Sequence, residues 1–431
     1  MLGLYSFLLT LGMTLVSPLF LLRRQKYASG FRERLGHYPE FNHDDRKVIW
    51  LHCVSVGETN AARPLVDELI ENFPDYRLVI STTTRTGQDL AKTIFAQKAA
   101  AVFYLPFDWK FSVRRALKTF RPSMLLLMET EIWPRLIAEA KRTGSKVAIV
   151  NGRLSQKSYK SYSRITPFVR EVLHNVDLAL MQGEKDAERI KALGLDAEKT
   201  IVTGNIKFDL SATAEEEALT GEFRERFGID GSRPLIVAAS THEPEEKWVL
   251  DSLKGILGDK ARLIIAPRHP ERFDDVGNLL RRSGYKIARR SDKASQADKT
   301  AAVILLDSIG ELRGIYPLAE IVFVGGSLIP HGGQNVLEPA AAGRPIVIGW
   351  STFNFAKIVE EFATQNAVVR LEETEVRSIA AMLAKAFSTL LSDENARAKL
   401  GSAGRAIIEA NRGATADTVS HLKALDIRNY E

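Results

Sequence analysis

The sequence predicts an α/β protein of two domains, each a parallel sheet covered by helices. Three observations predict it. Short apolar runs alternate with amphipathic stretches, the pattern of strands buried on both faces and joined by crossover helices. At 431 residues the chain is longer than one ordinary core accommodates. A cluster of turn formers, Gly228-Ile-Asp-Gly-Ser-Arg-Pro234, interrupts the alternation near its middle.

Residues 1–22 carry no charge, and Arg23-Arg-Gln-Lys26 follows at once. About 20 apolar residues suffice to cross a bilayer as a helix. Ser6, Thr10, Thr14, Ser17 and Pro18 dilute the run, so it is expected to anchor the chain either by spanning the membrane or by lying in its interface. A cleaved leader carries its positive charge before the apolar run. Here the charge comes after, which by the positive-inside rule puts everything from Arg23 onward in the cytoplasm. Arg32-Glu-Arg-Leu-Gly-His37 adds basic character suited to anionic headgroups. The expected organisation is a membrane anchor at 1–22, a first sheet domain at 23–209, a linker at 210–233 and a second sheet domain at 234–431.

In the first domain the apolar runs fall at 48–56, 78–81, 101–105, 124–128, 146–150, 178–181 and 200–203. Ligands of such sheets bind outside the carboxyl ends of the strands, so the residues after each run are the candidates. Ser55-Val-Gly-Glu58 puts Glu58 at a helix start, as a general base or as a carboxylate complementing the helix N-terminus. A polar turn, Thr82-Thr-Thr-Arg-Thr-Gly87, follows the second run. Glu129 and Glu131 leave the fourth, and two carboxylates there must face solvent, a cation or a substrate hydroxyl. Arg153 follows the fifth. Lys207, after the seventh, is placed to stabilise developing negative charge.

The second domain repeats the scheme. The run 235–240 ends in Ser240 and Thr241, and the next is closed by Pro267-Arg-His-Pro-Glu-Arg272. Arg268 can fork onto two phosphate oxygens. Asp307-Ser-Ile-Gly-Glu-Leu312 is a strand-to-helix turn whose backbone can read a base edge. The apolar run 321–324 leads into a glycine-rich stretch, Gly325-Gly-Ser-Leu-Ile-Pro-His-Gly-Gly-Gln-Asn335, whose N–H groups are expected to approach an anion. Residues 335–342 read as a short helix with Asn335 and Glu338 three apart, able to face one ligand. Residues 344–348 read as a strand, and helices close the chain from 374. His242, His269 and His331 match no ligand spacing such as His-Glu-x-x-His, so no metal site is expected.

The formal net charge of +6 and a pI of about 9.2 suit an anionic partner. No dense Lys/Arg run with interleaved aromatics supports nucleic acid. The one cysteine, Cys53, excludes an internal disulfide and a cysteine metal site.

Taken together, His52-Cys-Val-Ser-Val-Gly-Glu58, Glu129-Thr-Glu-Ile-Trp-Pro134, Gly204-Asn-Ile-Lys207, Pro267-Arg-His-Pro-Glu-Arg272, Asp307-Ser-Ile-Gly-Glu-Leu312 and Gly325-Gly-Ser-Leu with Asn335-Val-Leu-Glu-Pro339 resemble the Kdo (3-deoxy-D-manno-octulosonic acid) transferases of lipopolysaccharide assembly. These are GT-B glycosyltransferases. The motifs run in family order over essentially the whole chain. The resemblance implies two Rossmann-like domains facing across a cleft and transfer of Kdo from CMP-Kdo to a lipid A precursor, lipid IVA, at the cytoplasmic face of the inner membrane. It implies inversion without a metal or cofactor. It makes Glu58 the base, with Glu129 or Glu131 and Lys207 supporting the transition state. Ser240, Thr241, Pro267, Arg268, Ile309, Gly310, Glu311, Asn335, Val336, Leu337 and Glu338 would hold the donor. The chain departs from the family pattern at Gln334, at Trp350 and at Pro244. The competing readings are a GT-B transferase using a UDP-sugar and a membrane-tethered nucleotide-binding scaffold without catalysis. Retention of Glu58, Lys207, Arg268, Asn335 and Glu338 together weighs against the scaffold.

Overall fold

A computed structural model describes residues 1–22, 29–210 and 212–427, with side chains from 16 to 22 excepted. The basic run Arg23-Arg-Gln-Lys26, and Ser211 at the start of the expected linker, lie outside the described residues. The chain forms two compact units, one of residues 1–209 with 411–431, the other of residues 210–410.

The first unit is built on seven parallel strands: β1 (Lys47–Cys53), β2 (Tyr76–Thr82), β3 (Ala101–Tyr104), β4 (Met124–Met128), β5 (Lys146–Gly152), β6 (Leu178–Met181) and β7 (Thr200–Val202). Their order is β3-β2-β1-β4-β5-β6-β7. Both faces are covered, which explains the unbroken apolar runs. Along β1, Val48 and Trp50 enter one core while Ile49, Leu51 and Cys53 enter the other. The chain order reverses between β1 and β4, the kind of switch point where open α/β sheets leave a crevice at the strand ends.

The second unit repeats the plan with β8 (Leu235–Thr241), β9 (Arg262–Pro267), β10 (Ile287–Arg289), β11 (Val303–Leu305), β12 (Ile321–Val324), β13 (Ile346–Ile348) and β14 (Val369–Arg370). The order β10-β11-β9-β8-β12-β13-β14 reverses between β8 and β12. The edge strands β10 and β14 have no counterpart in the expected runs.

Three features differ from expectation. The expected linker does contain a helix, Ala214–Phe227, but it is part of the second unit, opened by a Thr213/Glu216 capping box and fixed by buried Phe223 and Phe227. Its Leu219 packs where a side chain at Gly314 would stand, 2.8 Å from the added Cβ. The second domain does not run to 431. The last helix, Ala414–Ile427, returns to the first unit, where Val419, Leu422 and Leu425 share a core with Leu65, Leu69 and Phe73. Asp209 secures the return by accepting the N–H groups of Gly413 and Thr415 at 2.7 and 2.6 Å.

The third feature is the N-terminal helix, Leu2–Leu22. No helix among the described residues is long and apolar enough to cross a membrane. Its first turns are bound to the unit by polar contacts. Tyr5 donates to Asp108 at 2.9 Å, Arg135 donates to Ser6 Oγ and to the Leu2 carbonyl at 2.8 Å, and Trp109 donates to Thr10 at 3.0 Å. Leu4, Phe7, Leu8, Leu11 and Leu15 remain exposed.

Candidate active site

At the β1/β4 switch point the first unit gathers carboxylates. Ser55 N-caps the helix Val56–Ala61 that follows β1, placing Glu58 at its third position. The Glu58 carboxylate turns back, accepting the Val54 N–H at 2.8 Å and the Ser55 hydroxyl at 3.0 Å. It therefore complements the helix start, the second of the two readings of this residue. Only 8% of it is exposed. Burial pushes its acid up to about 7, with the Glu129 charge adding to the rise and the Val54 N–H and Ser55 hydroxyl opposing it.

Glu129 leaves β4 with φ of 56°, a left-handed conformation that costs energy for a residue with a Cβ. Its N–H donates to the Val150 carbonyl at 2.9 Å, and its Oε1 lies 2.7 Å from Lys207 Nζ. Lys207 sits in the short turn Ile206–Phe208 after β7, whose first residue is held by Asn151 through a 3.1 Å bond from the Ile206 N–H. Asn151 also has positive φ, 53°. The fold thus joins Glu129 and Lys207 directly and sets Glu58 within electrostatic reach of both Glu129 and Glu131. Burial, then Glu129, raises the Glu131 acid. Arg153 lies exposed after β5.

Several polar groups that sequence reasoning left without a role sit at the same strand ends. His52 Nε2, Thr83 Oγ1, Thr130 Oγ1, Trp133 Nε1 and Asn151 Nδ2 are buried without a hydrogen-bond partner. Burial holds His52 neutral, its acid pushed down to about 3. Buried polar atoms carry a penalty until something pairs with them. The strand-end rule pointed to their location, while nothing in the local sequence separates a paired side chain from an unpaired one. Beside them Tyr5, Leu9, Arg34, Leu105, Phe107 and Trp133 line a mostly apolar pocket.

In the second unit the glycine-rich stretch is organised differently from expectation. Its first N–H groups are taken by an internal carboxylate. Glu245 accepts from Gly326 at 2.7 Å, from Ser327 and Leu328 at 3.0 Å each, and from His242 at 3.0 Å. That turn cannot also cradle a phosphate. Glu245, wholly buried, follows Pro244 in what reads in sequence as a surface helix start, which hid its role.

Of the donor candidates, Ser240 is next to last in β8 with φ of 54°, and Thr241 donates to Glu246 at 2.9 Å. Pro267 is buried. Arg268 is exposed, its N–H donating to the Thr241 carbonyl at 2.9 Å and its guanidinium making no hydrogen bond or ion pair among the described residues. Glu311 is engaged by Arg290, two nitrogens of which lie 2.7 to 3.1 Å from its oxygens, and also accepts the Ser308 hydroxyl. It anchors the turn and leaves Ile309, 78% exposed, and Gly310 outward. The expected helix at 335–342 is shorter, Leu337–Ala341, and Asn335 lies just before it, its Oδ1 accepting the Leu337 N–H at 3.0 Å. Val336 and Leu337 are fully buried and can offer a ligand only backbone. Glu338 is half-buried.

The three histidines whose spacing suggested nothing are brought together. His242, His269 and His331 have ring nitrogens within 4.8 Å of one another. Burial, then His331 and His269, pushes the His242 acid down to about 4.

A sequence model described as 3-deoxy-D-manno-octulosonic-acid transferase (kdotransferase) matches residues 29–210. A 3-deoxy-D-manno-octulosonic acid transferase of Haemophilus influenzae is 35% identical over 410 residues, covering 95% of this chain and 94% of that protein. Its Bordetella pertussis counterpart is 33% identical over 387 residues, covering 87% and 86%. Among solved structures, a UDP-N-acetylglucosamine 2-epimerase has a TM-score of 0.55 at 13% identity over 89% of this chain and 97% of that one. A glycosyltransferase of Rickettsia africae has a TM-score of 0.53 at 12% identity over 89% and 98%. These two structural likenesses speak to the GT-B fold alone.

Proposed function

The chain belongs to the 3-deoxy-D-manno-octulosonic acid transferase family and is a glycosyltransferase, and we propose that it moves Kdo from CMP-Kdo to a lipid A precursor of the lipid IVA type, with inversion. The observation that carries the mechanism is the buried Glu58 with its acid near neutrality. A general base works best when its pKa lies near the working pH. In this reading Glu58 takes the proton of the acceptor hydroxyl as that oxygen bonds to the anomeric carbon of Kdo. The bond from that carbon to the phosphate oxygen breaks, and its electron pair leaves with CMP. Lys207 and Glu129 hold each other in place, and the lysine charge offsets that of Glu129, one of the acidic neighbours that raise Glu58.

For the donor, the exposed 309–310 backbone suits the edge of a base, and the unpaired guanidinium of Arg268 suits a phosphate. For the acceptor, the unpaired polar atoms at the first switch point suit sugar hydroxyls. The exposed apolar residues of the Leu2–Leu22 helix, with Phe31 and Phe111, suit a lipid surface on which the helix lies rather than one it crosses. The cytoplasmic face of the inner membrane is the location this reading assigns. The test is incubation with CMP-Kdo and a tetra-acylated lipid A precursor, with products read by mass spectrometry. A Kdo adduct with CMP-Kdo, and none with UDP-sugars, is expected. Adducts formed from a UDP-sugar instead would reverse the donor assignment.

A further inference from the structure

We propose that His242, His269 and His331 form a binding site for a divalent transition-metal ion of the zinc class, with three imidazole ligands and an open position. The three residues come from three separate segments of the second unit: the turn after β8, the turn after β9 and the glycine-rich stretch after β12. Parallel strand order places those segments side by side at the β8/β12 switch point.

His242 is the centre of the group. Its ring lies 4.1 Å from that of His331, centroid to centroid, and 5.3 Å from that of His269. Only 7% of it is exposed, and neither of its ring nitrogens has a hydrogen-bond partner. An imidazole buried with both nitrogens unpaired is costly unless a ligand completes it. Its backbone is rigidly held, the N–H by Glu245 at 3.0 Å and the carbonyl by the Glu245 N–H at 2.7 Å. Gly326, with φ of 64°, lies against the ring.

The other two ligands are more exposed. The His331 carbonyl accepts the side-chain amide of Asn354 at 2.9 Å, and the Glu271 carboxylate lies 3.9 Å from His269 Nδ1. The ligand atoms lie within 4.8 Å of one another. Tetrahedral zinc with Zn–N bonds of about 2.0–2.1 Å holds its nitrogens about 3.3 Å apart, a closure that ring rotation of the two more exposed histidines supplies. Three nitrogen donors without thiolate or carboxylate favour zinc, copper or nickel over magnesium or calcium. The fourth position is left for water or an anionic oxygen.

The test uses the untagged full-length chain, stripped with a chelator and dialysed. Zinc binding is measured by competition with a chromogenic chelator, and cobalt is added for its visible ligand-field bands. One equivalent of zinc per chain and a tetrahedral cobalt spectrum are expected. His331→Ala and His269→Ala, at the more exposed positions, are each expected to weaken zinc by at least about 100-fold without changing the melting temperature of the metal-free protein. Wild type binding zinc no more tightly than His331→Ala, or lacking a saturable equivalent, overturns the site. Metal stoichiometry is independent of turnover, so failure of the Kdo transfer assay would leave this result standing, and the reverse.

Discussion

The carboxylate of Glu245 accepts the N–H of Gly326 at 2.7 Å and, through its other oxygen, the N–H groups of the next two residues. A loop with the composition of an anion cradle is thus already closed on an anion of its own chain. Charge-assisted hydrogen bonds to a buried group are strong, and leaving their donors unpaired carries the full desolvation cost. Glu245→Gln puts an amide NH2 against N–H donors whichever way it turns. It is expected to destabilise the chain by about 3 kcal/mol, read as a lower urea midpoint, and to weaken CMP binding. Unchanged stability would show that the loop does not depend on Glu245.

Glu58 links stability to pH. Its acid stands near 7 in the folded chain against an ordinary value of 4.5, so the folded state carries an extra proton between the two. The stability this gives is full below the unfolded value and is lost as pH rises through 7. Glu58→Gln cannot ionise. It is expected to melt roughly 2–4 °C above wild type at pH 8 and nearly level with it at pH 5. Thermal denaturation at the two pH values checks this.

The same residue sets the acid limb of catalysis. kcat/KM is expected to fall below an apparent pKa of about 7, approaching about tenfold per pH unit. Glu129→Gln removes a charge that raises Glu58, so the limb should move to lower pH. Lys207→Met leaves that charge without its cation, so the limb should move to higher pH. Shifts in one direction for both variants would contradict the electrostatic account, whatever happens to the maximal rate.

How much of this was legible in the sequence depended on the burial of each element. Central strands such as β4 are apolar throughout because both faces are covered, and they stand out as runs. The edge strands β10 and β14 are short and partly exposed, so they leave no run. The strand-end rule located Glu58, Glu129 and Lys207, which the fold brings into one electrostatic group. It could not find Glu245, whose partners lie about 80 positions away, nor the meeting of His242, His269 and His331, because those depend on strand order and not on local spacing. The return of the Ala414–Ile427 helix to the first unit escaped for the same reason, since a helical stretch does not say which sheet it covers.

Asp108 joins the N-terminal helix to the body of the first unit. It accepts the Tyr5 hydroxyl and the N–H groups of Arg135 and Leu136. Asp108→Ala is expected to cost about 2 kcal/mol and to expose the helix to protease. Replacing Leu4, Leu8 and Leu11 by Glu touches only exposed positions. That variant should keep its melting temperature and lose sedimentation with anionic vesicles. Retained vesicle binding would place the lipid contact elsewhere.

The most direct test of the central claim compares wild type with Glu58→Ala in the presence of CMP-Kdo and a tetra-acylated lipid A precursor, with product masses and CMP affinity measured on the same preparations. The account predicts Kdo adducts from wild type and, from Glu58→Ala, a loss of at least about 1,000-fold in rate with CMP affinity unchanged. Turnover by Glu58→Ala at the wild-type rate would contradict the assignment of the base.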